Sequence, residues 1–323
     1  MKRYVFTCGD INGIGPEICI KTFNRIFNPK KNLIYFICPL NIFKKTVKKI
    51  PLKFDYQIVK EYKQAYSSVL NVVDVGSYKQ KLGSPTKISG QASFISIQKA
   101  LELFDLNYVD ALITAPISKY SFQLAGIDFP GHTEMLAAHF NSKLYSMLFL
   151  SNKIKVALVT IHIPLKAVAK SITKNNVSIT LEVLRNSLKN DFGIKQPKIA
   201  ILGLNPHAGE DGKIGTEEKN IIYPVIRKNK NVFGPFVPDA FFGMKKYLDF
   251  DAVIGMYHDQ VLIPFKLLNF EKGVNYTAGL PIVRTSPDHG TAFDIASKFV
   301  ASEVSMIESY KWAEKILKFR KLK

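Results

Sequence analysis

The chain has 323 residues, of which 47% are hydrophobic and 22% are charged. This balance is typical of a globular protein with a large buried core, and it excludes a disordered or fibrous chain. At ~150 residues per domain, the length predicts two domains or one large two-lobed unit. The apolar runs are far shorter than the ~20 residues of a membrane-spanning helix, and the first residues leave no room for the ~7 to 15 apolar residues of a signal peptide. We therefore expect a cytoplasmic protein with no membrane partner.

Lys and Arg number 45 against 26 Asp and Glu, which gives a formal net charge of +19. Such an excess raises nucleic-acid binding as a possible function. The lysines, however, lie singly or in pairs along the whole chain and form no single basic stripe with interleaved aromatic residues. We therefore expect no nucleic-acid partner and interpret the charge as a Lys-rich surface that attracts small anions. The cysteines Cys8, Cys19 and Cys38 lack C-x-x-C spacing and fit small core residues of a reducing compartment.

In chain order, short apolar runs rich in β-branched residues alternate with longer amphipathic segments. The predicted strands are RYVFTC, LIYFIC, DYQIV, VLNVVDV, ALITA, YSMLFL, KVALVT, KIAILGL, AVIGMY and VNYTAGLPIVRT. The predicted helices lie at residues 16–27, 91–106, 132–140, 177–191, 216–228, 239–250, 260–268, 291–299 and 302–321. This alternation predicts an α/β fold with a mostly parallel sheet.

Polar clusters follow five of the predicted strands, at the ends where ligands bind in open α/β sheets. The first two clusters begin at Thr7 and Thr114, and the other three carry His162, His207 and His258. The histidines are spaced by roughly one strand and one helix, so they occupy equivalent positions in successive repeats. Imidazole suits a borderline divalent cation, and three protein ligands are typical of a catalytic metal site. Any one of these histidines could equally be a core or capping residue.

A glycine-rich turn, GDINGIGPEI, joins the first predicted strand to the first predicted helix. Gly13 and Gly15 would allow the backbone to approach a phosphate closely, which makes them candidate cofactor-binding residues. The turn matches neither G-x-G-x-x-G, because Ile18 occupies the last glycine position, nor the P-loop pattern. A tight turn into a helix explains it as well.

Further polar residues near the end of the chain suit an anionic ligand. Lys266, Asn275 and Arg284 punctuate apolar stretches, and two cations with an amide would bind a phosphorylated carboxylate substrate, although each could be a surface residue. In DHGTAFDIA, His289 and Gly290 precede Asp294, which is predicted in the first turn of a helix. Asp294 could accept hydrogen bonds from a ribose diol, or it could simply favour the helix dipole.

Six ordered motifs together carry a resemblance. They are GDINGIGPEI, TAPISKYSFQLAGIDFPGHTEMLA, VTIHIPLK, GLNPHAGEDGKIGTEE, MYHDQVLIPFK and VNYTAGLPIVRTSPDHGTAFDIA. The chain strongly resembles the 4-hydroxythreonine-4-phosphate dehydrogenase family of vitamin B6 biosynthesis, from about Tyr4 to about Ala296. The resemblance implies a two-lobed fold like the isocitrate and isopropylmalate dehydrogenases, with the active site in the cleft between lobes. It also implies a homodimer with active sites at the subunit interface, and NAD bound without a Rossmann fingerprint.

The resemblance also assigns roles to residues. The three histidines match the ligands of a divalent ion (Zn, Mg or Co), with one of the three supplied by the partner subunit. His132 and Thr133 match substrate-binding positions, as do Lys266, Asn275 and Arg284. DHGTAFDIA looks like the adenosine-binding loop of the isopropylmalate dehydrogenase group, which puts Asp294 against the adenosine ribose. This chain departs from the family pattern at Ile11-Asn12, where the family has Pro-Ala, and at Ser118, where Asn is common.

The implied reaction is oxidation of the C3 hydroxyl of 4-phosphooxy-L-threonine by NAD. The product, 2-amino-3-oxo-4-(phosphooxy)butanoate, loses carbon dioxide to give 3-amino-2-oxopropyl phosphate. Asp239 and Asp259 each open a predicted helix and are candidate bases, although either could be an N-cap or a partner for a ligand histidine. Two alternatives are a paralogous dehydrogenase of 4-phospho-D-threonate or 4-phospho-D-erythronate, and an acyltransferase like phosphotransacetylase.

The expected domain division follows from these assignments. Residues 1–115 with 286–323 form the expected cofactor-side lobe, and residues 116–285 form the expected metal- and dimer-side lobe.

Overall fold

A computed structural model describes residues 1–320 of the chain. Their contacts divide them into two units. The first comprises Met1–Asn141 and Leu280–Leu317, and the second comprises Ser142–Gly279 and residues 318–320. Residues 116–141 therefore pack with the first unit.

In the first unit, six strands lie in the order β3-β4-β2-β1-β5-β12, and all their pairings are parallel. The strands are β1 (Lys2–Thr7), β2 (Asn32–Ile37), β3 (Tyr56–Ile58), β4 (Leu70–Val73), β5 (Ala111–Thr114) and β12 (Val283–Pro287). The helices are α1 (Gly15–Ile26), α2 (Leu40–Lys49), α3 (Lys87–Asp105), α4 (Lys119–Leu124), α5 (His132–His139) and α11 (Val304–Phe319). The core of this unit is aromatic, since Phe23 packs edge-on against both Phe6 and Phe36 at 5.0 and 5.1 Å between ring centroids.

In the second unit, the strand order is β11-β6-β7-β10-β8-β9. The strands are β6 (Ser146–Leu150), β7 (Lys155–Leu158), β8 (Ile199–Leu202), β9 (Val232–Phe236), β10 (Ala252–Gly255) and β11 (Val274–Ala278). The pairs formed by β7, β10, β8 and β9 are parallel, whereas β6 is antiparallel to both β11 and β7. The helices are α6 (Leu165–Ser171), α7 (Lys174–Asn190), α8 (Tyr223–Arg227), α9 (Pro238–Gly243) and α10 (His258–Asn269).

These elements confirm the predicted α/β class with mostly parallel strands. The last predicted strand, VNYTAGLPIVRT, is wrong as one element because the chain turns at Gly279 and forms β11 and β12. Gly279 has a φ of 87°, and a Cβ there would lie 2.2 Å from the carbonyl oxygen of Leu144, so only glycine fits this turn. The elements β9, α2, α4 and α6 were not predicted.

Three predicted helices differ from the structure. The segment 216–228 is helical as predicted, but its first part, Glu218–Ile222, is a single turn of π-helix that leads into α8. The segment 239–250 is interrupted at Lys245, whose φ of 55° ends the helical path after α9. The segment 291–299 consists of successive turns, since Ala292 and Phe299 are left-handed. The prediction that Asp294 lies in a first helical turn is therefore wrong.

Among residues 1–320, no helix combines the length and the apolar character that crossing a bilayer requires.

A buried polar network anchors the end of the described chain within the second unit. The Arg320 guanidinium donates to the Asp191 carboxylate at 2.7 Å and to the Tyr276 hydroxyl at 2.7 Å. Asp191 also accepts hydrogen bonds from Tyr276 at 2.6 Å and from Ser187 at 2.7 Å. Burial, together with the Asp191 carboxylate, holds the pKa of Tyr276 well above its ordinary value, so the hydroxyl stays protonated and keeps its role as a donor.

We expect Arg320→Ala to lower the free energy of unfolding by about 2 to 4 kcal/mol, because it leaves a buried carboxylate without its cation. The measurement is the urea unfolding midpoint of the purified protein. Lys318→Ala removes an exposed cation two residues earlier, on α11, and should change stability by less than about 0.5 kcal/mol. Equal losses in the two variants would contradict this assignment.

Candidate active site

A buried cation lies near the carboxyl end of β5 in the first unit. Arg284, on β12, is 3% exposed, and its guanidinium donates to the hydroxyl of Thr114, the last residue of β5, at 2.7 and 3.2 Å. Burial lowers the pKa of Arg284 to about 9, an effect that the nearby Glu134 carboxylate partly offsets. A guanidinium removed from water in this way is stabilised by any anion that binds beside it.

The amino end of α5 adds to this cluster. His132 and Thr133 are buried at the start of α5, which follows Gly131 without a side-chain cap, and the positive end of the helix dipole there favours a bound anion. Within the described residues, the His132 Nε2 atom has no hydrogen-bond partner although it is buried. Burial, and then the Arg284 charge, hold the pKa of His132 well below its usual range, so the imidazole is neutral at pH 7. The structure thus brings together three of the predicted substrate residues, His132, Thr133 and Arg284.

The glycine-rich turn packs against the late loop in the same unit. The backbone N–H of Ile14 donates to the carbonyl oxygen of Thr291 at 3.0 Å, and a Cβ on Gly13 would lie 2.7 Å from that oxygen. A Cβ on Gly15 would lie 2.1 Å from the carbonyl oxygen of Cys8. Both glycines therefore allow close approach between segments of the protein itself, which was the alternative explanation for this turn. Their role in cofactor binding stays a prediction.

The loop containing the other predicted cofactor residues is irregular. His289 contacts the carbonyl oxygen of Gly290 through Nδ1 at 3.0 Å, and a Cβ on Gly290 would meet no atom within 4 Å. Asp294 is exposed. These two features fit a nucleotide. The open space at Gly290 permits a ligand to approach the backbone closely, and the exposed Asp294 carboxylate can accept hydrogen bonds from it.

Two buried residues support this region and were not singled out from the sequence. Asp10 is fully buried and accepts hydrogen bonds from the hydroxyls of Ser121 at 2.7 Å and Ser89 at 3.1 Å. Burial raises the pKa of Asp10, while these bonds oppose the rise. Asn12 donates to the carbonyl oxygen of Ser84 at 2.8 Å and accepts from the Lys81 N–H at 2.7 Å. The only sequence signal was the departure from the family pattern at Asn12.

The second unit carries the three predicted metal ligands. His162, His207 and His258 follow β7, β8 and β10, and β10 lies between β7 and β8, so the histidines follow three neighbouring parallel strands. The rings of His162 and His258 lie 5.8 Å apart between centroids. Two imidazoles bound to one ion through bonds of ~2.0 to 2.1 Å have centroids about 5 to 6 Å apart, so this pair fits a shared ion.

The two candidate bases, Asp239 and Asp259, differ in their contacts with the histidines. The Asp259 carboxylate contacts the Nδ1 atom of His258 at 2.6 Å, which orients the ring and leaves Nε2 for a ligand bond. This geometry favours the alternative that Asp259 is a partner for a ligand histidine. Asp239 is exposed in the first turn of α9, and it does not cap that helix through its side chain.

His207 is exposed, and the described residues contain no group of three His, Cys, Asp or Glu side chains close enough to hold a metal ion. The structure therefore brings two of the three predicted ligands together. On chemistry the donor set fits a borderline divalent ion, because three neutral imidazoles and an orienting carboxylate are its usual surroundings.

The two remaining predicted substrate residues also lie in the second unit. Lys266, on α10, is partly buried with its ammonium group 5.9 Å from the centre of the Phe270 ring. Asn275 lies on β11, and its buried Oδ1 atom has no hydrogen-bond partner among residues 1–320. An unsatisfied buried acceptor suits a ligand that donates a hydrogen bond.

Comparisons with known proteins agree on one family. The model of the family described as "Pyridoxal phosphate biosynthetic protein PdxA" matches residues 30–313. A 4-hydroxythreonine-4-phosphate dehydrogenase from Sulfurihydrogenibium sp. (strain YO3AOP1) is 40% identical, covering 99% of this chain and 100% of the relative. A crystal structure of a 4-hydroxythreonine-4-phosphate dehydrogenase from Klebsiella pneumoniae is 34% identical, covers 98% of this chain and 99% of its own, and has a TM-score of 0.84.

Two further proteins are similar to this chain, one with a different named activity and one with a much lower sequence identity. A relative from Oceanobacillus iheyensis, 38% identical over 94% of this chain and 94% of its own length, carries the provisional name D-threonate 4-phosphate dehydrogenase. A β-decarboxylating dehydrogenase from Thermococcus kodakarensis is 15% identical, covers 99% of this chain and 85% of its own, and has a TM-score of 0.50. This last likeness concerns the fold alone and agrees with the predicted fold of the isocitrate and isopropylmalate dehydrogenases. The chain is thus a member of the PdxA family of pyridoxal phosphate biosynthesis, whose curated relatives include the 4-hydroxythreonine-4-phosphate dehydrogenases.

Proposed function

We propose that this chain oxidises the C3 hydroxyl of 4-phosphooxy-L-threonine with NAD as the acceptor. The product, 2-amino-3-oxo-4-(phosphooxy)butanoate, then decarboxylates to 3-amino-2-oxopropyl phosphate. The observation that carries the proposal is the buried Arg284 beside the open amino end of α5, in a chain whose relatives carry the name of this enzyme. A desolvated cation beside the amino end of a helix suits a phosphorylated amino acid better than a neutral substrate.

Five residues have roles in substrate binding in this proposal. Arg284 supplies a fork of N–H donors to an anionic group, and neutral His132 offers one donor or acceptor beside it without adding charge. Thr133 adds a hydroxyl at the helix terminus. Lys266 supplies a point charge, and Asn275 accepts a hydrogen bond from a donor such as the substrate amino group.

His162, His207 and His258 would hold the divalent ion, with one of the three coming from the partner subunit of a homodimer. When bound, such an ion lowers the pKa of a coordinated hydroxyl and polarises the carbonyl that forms. Gly13, Gly15, His289, Gly290 and Asp294 would line the NAD site, and NAD supplies the hydride acceptor.

The two candidate bases have different roles in this proposal. Asp259 holds His258 through Nδ1, so its proposed role is to orient that ring. That role leaves Asp239 as the candidate that accepts the proton of the C3 hydroxyl. In this proposal residues 1–115 and 286–323 form the cofactor side, residues 116–285 form the metal and dimer side, and the enzyme acts in the cytoplasm.

A second candidate is the oxidation of 4-phospho-D-threonate or 4-phospho-D-erythronate, in which a hydroxyl replaces the substrate amino group. The relative from Oceanobacillus iheyensis favours it at 38% identity. Asn275 Oδ1 accepts a hydrogen bond from either group, so it does not discriminate between the two substrates.

The experiment that tests the function is a substrate panel. The purified protein is incubated with NAD and each phosphorylated substrate, with and without a chelator, and NADH is followed by absorbance. We expect the highest kcat/KM with 4-phosphooxy-L-threonine and a loss of most turnover with chelator, restored by added divalent ion. A higher kcat/KM with 4-phospho-D-threonate would assign the second function, and no NADH with any substrate would exclude both.

Replacing Arg284 tests anion recognition. We expect Arg284→Ala to lower kcat/KM by about 10²-fold, which corresponds to about 2.7 kcal/mol at ~1.36 kcal/mol per decade, because a desolvated cation is removed. Arg284→Lys keeps the charge without the fork and should lose less. Lys245→Ala, at an exposed position, is the control and should change kcat/KM by less than about twofold. Equal small effects at both positions would place the anion elsewhere.

The choice of cofactor depends on Asp294 in this proposal. A carboxylate at the ribose diol repels the 2′-phosphate of NADP, so we expect the unmodified enzyme to prefer NAD. Asp294→Asn keeps the shape and removes the charge, and it should lower the ratio of kcat/KM for NAD to that for NADP by about 10-fold. A wild-type enzyme that used NADP better than NAD would contradict the placement of this residue.

A further inference from the structure

His207 opens a turn with an unusual backbone. Five consecutive residues, 207–211, have φ values of 53°, 50°, 80°, 44° and 55°, so the chain makes one left-handed turn. Only Gly209 among them lacks a side chain that opposes this conformation. Successive left-handed residues are strained for L-amino acids and persist only when surrounding contacts hold them.

One buried carboxylate binds the segment that leads directly into this turn. Glu218 is 2% exposed, and its Oε1 atom accepts hydrogen bonds from the backbone N–H groups of Leu204 and Asn205, both at 2.7 Å. Its Oε2 atom accepts from Asn205 Nδ2 at 2.9 Å. All three donors belong to Leu204 and Asn205, which directly precede Pro206 and His207.

Two glycines also lie close to the Glu218 carboxylate. A Cβ on Gly209 would lie 2.6 Å from Glu218 Oε2, and a Cβ on Gly203 would lie 3.3 Å from Glu218 Oε1. Both glycines thus leave room for the carboxylate. Glu218 itself starts a single turn of π-helix, Glu218–Ile222, which leads into α8. A local helix irregularity of this kind is common near functional sites.

We propose that Glu218 is a positioning residue that holds the left-handed turn and thereby presents His207 to the divalent ion. This inference rests on the proposed function, which makes His207 a metal ligand. Glu218 acts through the backbone and touches neither the ion nor the substrate. A glutamine at this position would have one acceptor oxygen for three donors, and its amide N–H would oppose the donors that remain.

The test measures binding of the metal alone. The full-length protein is stripped of metal, and Zn²⁺ is titrated in competition with a chromophoric chelator. We expect Glu218→Gln to raise the Zn²⁺ Kd at least 10-fold, because His207 is no longer held in place. The matched control is Glu217→Gln, since Glu217 accepts a hydrogen bond from the Asn205 side chain at 2.8 Å, whereas Glu218 also accepts from two backbone N–H groups directly before the turn. The control should change the Kd by less than twofold.

Activity gives a second readout. In Glu218→Gln the metal concentration for half-maximal activity should rise with the Zn²⁺ Kd, while kcat at saturating metal stays within about threefold. A protein damaged in general would instead lose kcat at every metal concentration, and that result would overturn the positioning role. Circular dichroism and the melting temperature establish that each variant is folded.

Two further variants separate the possible failures. If His207→Ala raises the Zn²⁺ Kd and folded Glu218→Gln does not, the positioning role of Glu218 is wrong and the metal site stands. If His207→Ala leaves the Kd unchanged, the proposed metal site is wrong and this inference falls with it. Should Glu218→Gln fail to fold, Asn205→Ala, which removes the side-chain donor to both Glu218 and Glu217, decides the question by comparison with the Glu217→Gln control. It should raise the Kd about 3- to 10-fold, and an unchanged Kd would overturn the proposal.

Discussion

Parallel pairing of strands is the constraint on which the other features depend. Two parallel neighbours must be joined by a crossover that returns the chain to the same edge, so the residues that follow each strand collect at the carboxyl ends. In the second unit this constraint places His162, His207 and His258 after three adjacent strands. In the first unit it places Thr114 at the carboxyl end of β5, next to the strand that carries Arg284.

The burial of charged side chains is the second constraint on the candidate site. Arg284, Asp10 and Glu218 are each less than 4% exposed, and each is held by hydrogen bonds from or to groups distant in the sequence. Taking such groups out of water costs several kcal/mol, which the fold offsets only when donors and acceptors are already in place. The three differ in their surroundings. Glu218 and Asp10 have their acceptor sites occupied by protein donors, whereas Arg284 lies beside a helix terminus that is open to an anion.

The glycine-rich turn illustrates how one pattern supports two explanations. Gly13 and Gly15 were candidates for contact with a phosphate, and the structure gives each a role in contact between protein segments. The requirement for glycine is the same in both cases, because a Cβ would collide with a backbone oxygen. The two explanations differ only in whether the nearby atom belongs to a ligand or to the protein, and the sequence does not show which. Gly290, by contrast, borders open space, so its proposed contact with a cofactor is not in competition with a packing role.

The sequence by itself determined the strand and helix alternation, the parallel class, and the position of the histidines and of Thr114 after strands. Hydrophobic periodicity is a local property, so these features can be predicted from neighbouring residues. Asp259 was predicted near the site as a base, an N-cap or a partner for a ligand histidine, and its contact with His258 favours the last of these. Only the tertiary structure decided the left-handed turn at residues 207–211, the π-helical form of Glu218–Ile222 and the turns at 291–299. Each of these segments is shaped by groups far away in the chain, as when Thr291 accepts a hydrogen bond from Ile14 and when Glu218 turns inward to Leu204 and Asn205. Such contacts override local helix propensity because each satisfies a buried polar group that a regular helix would leave without a partner.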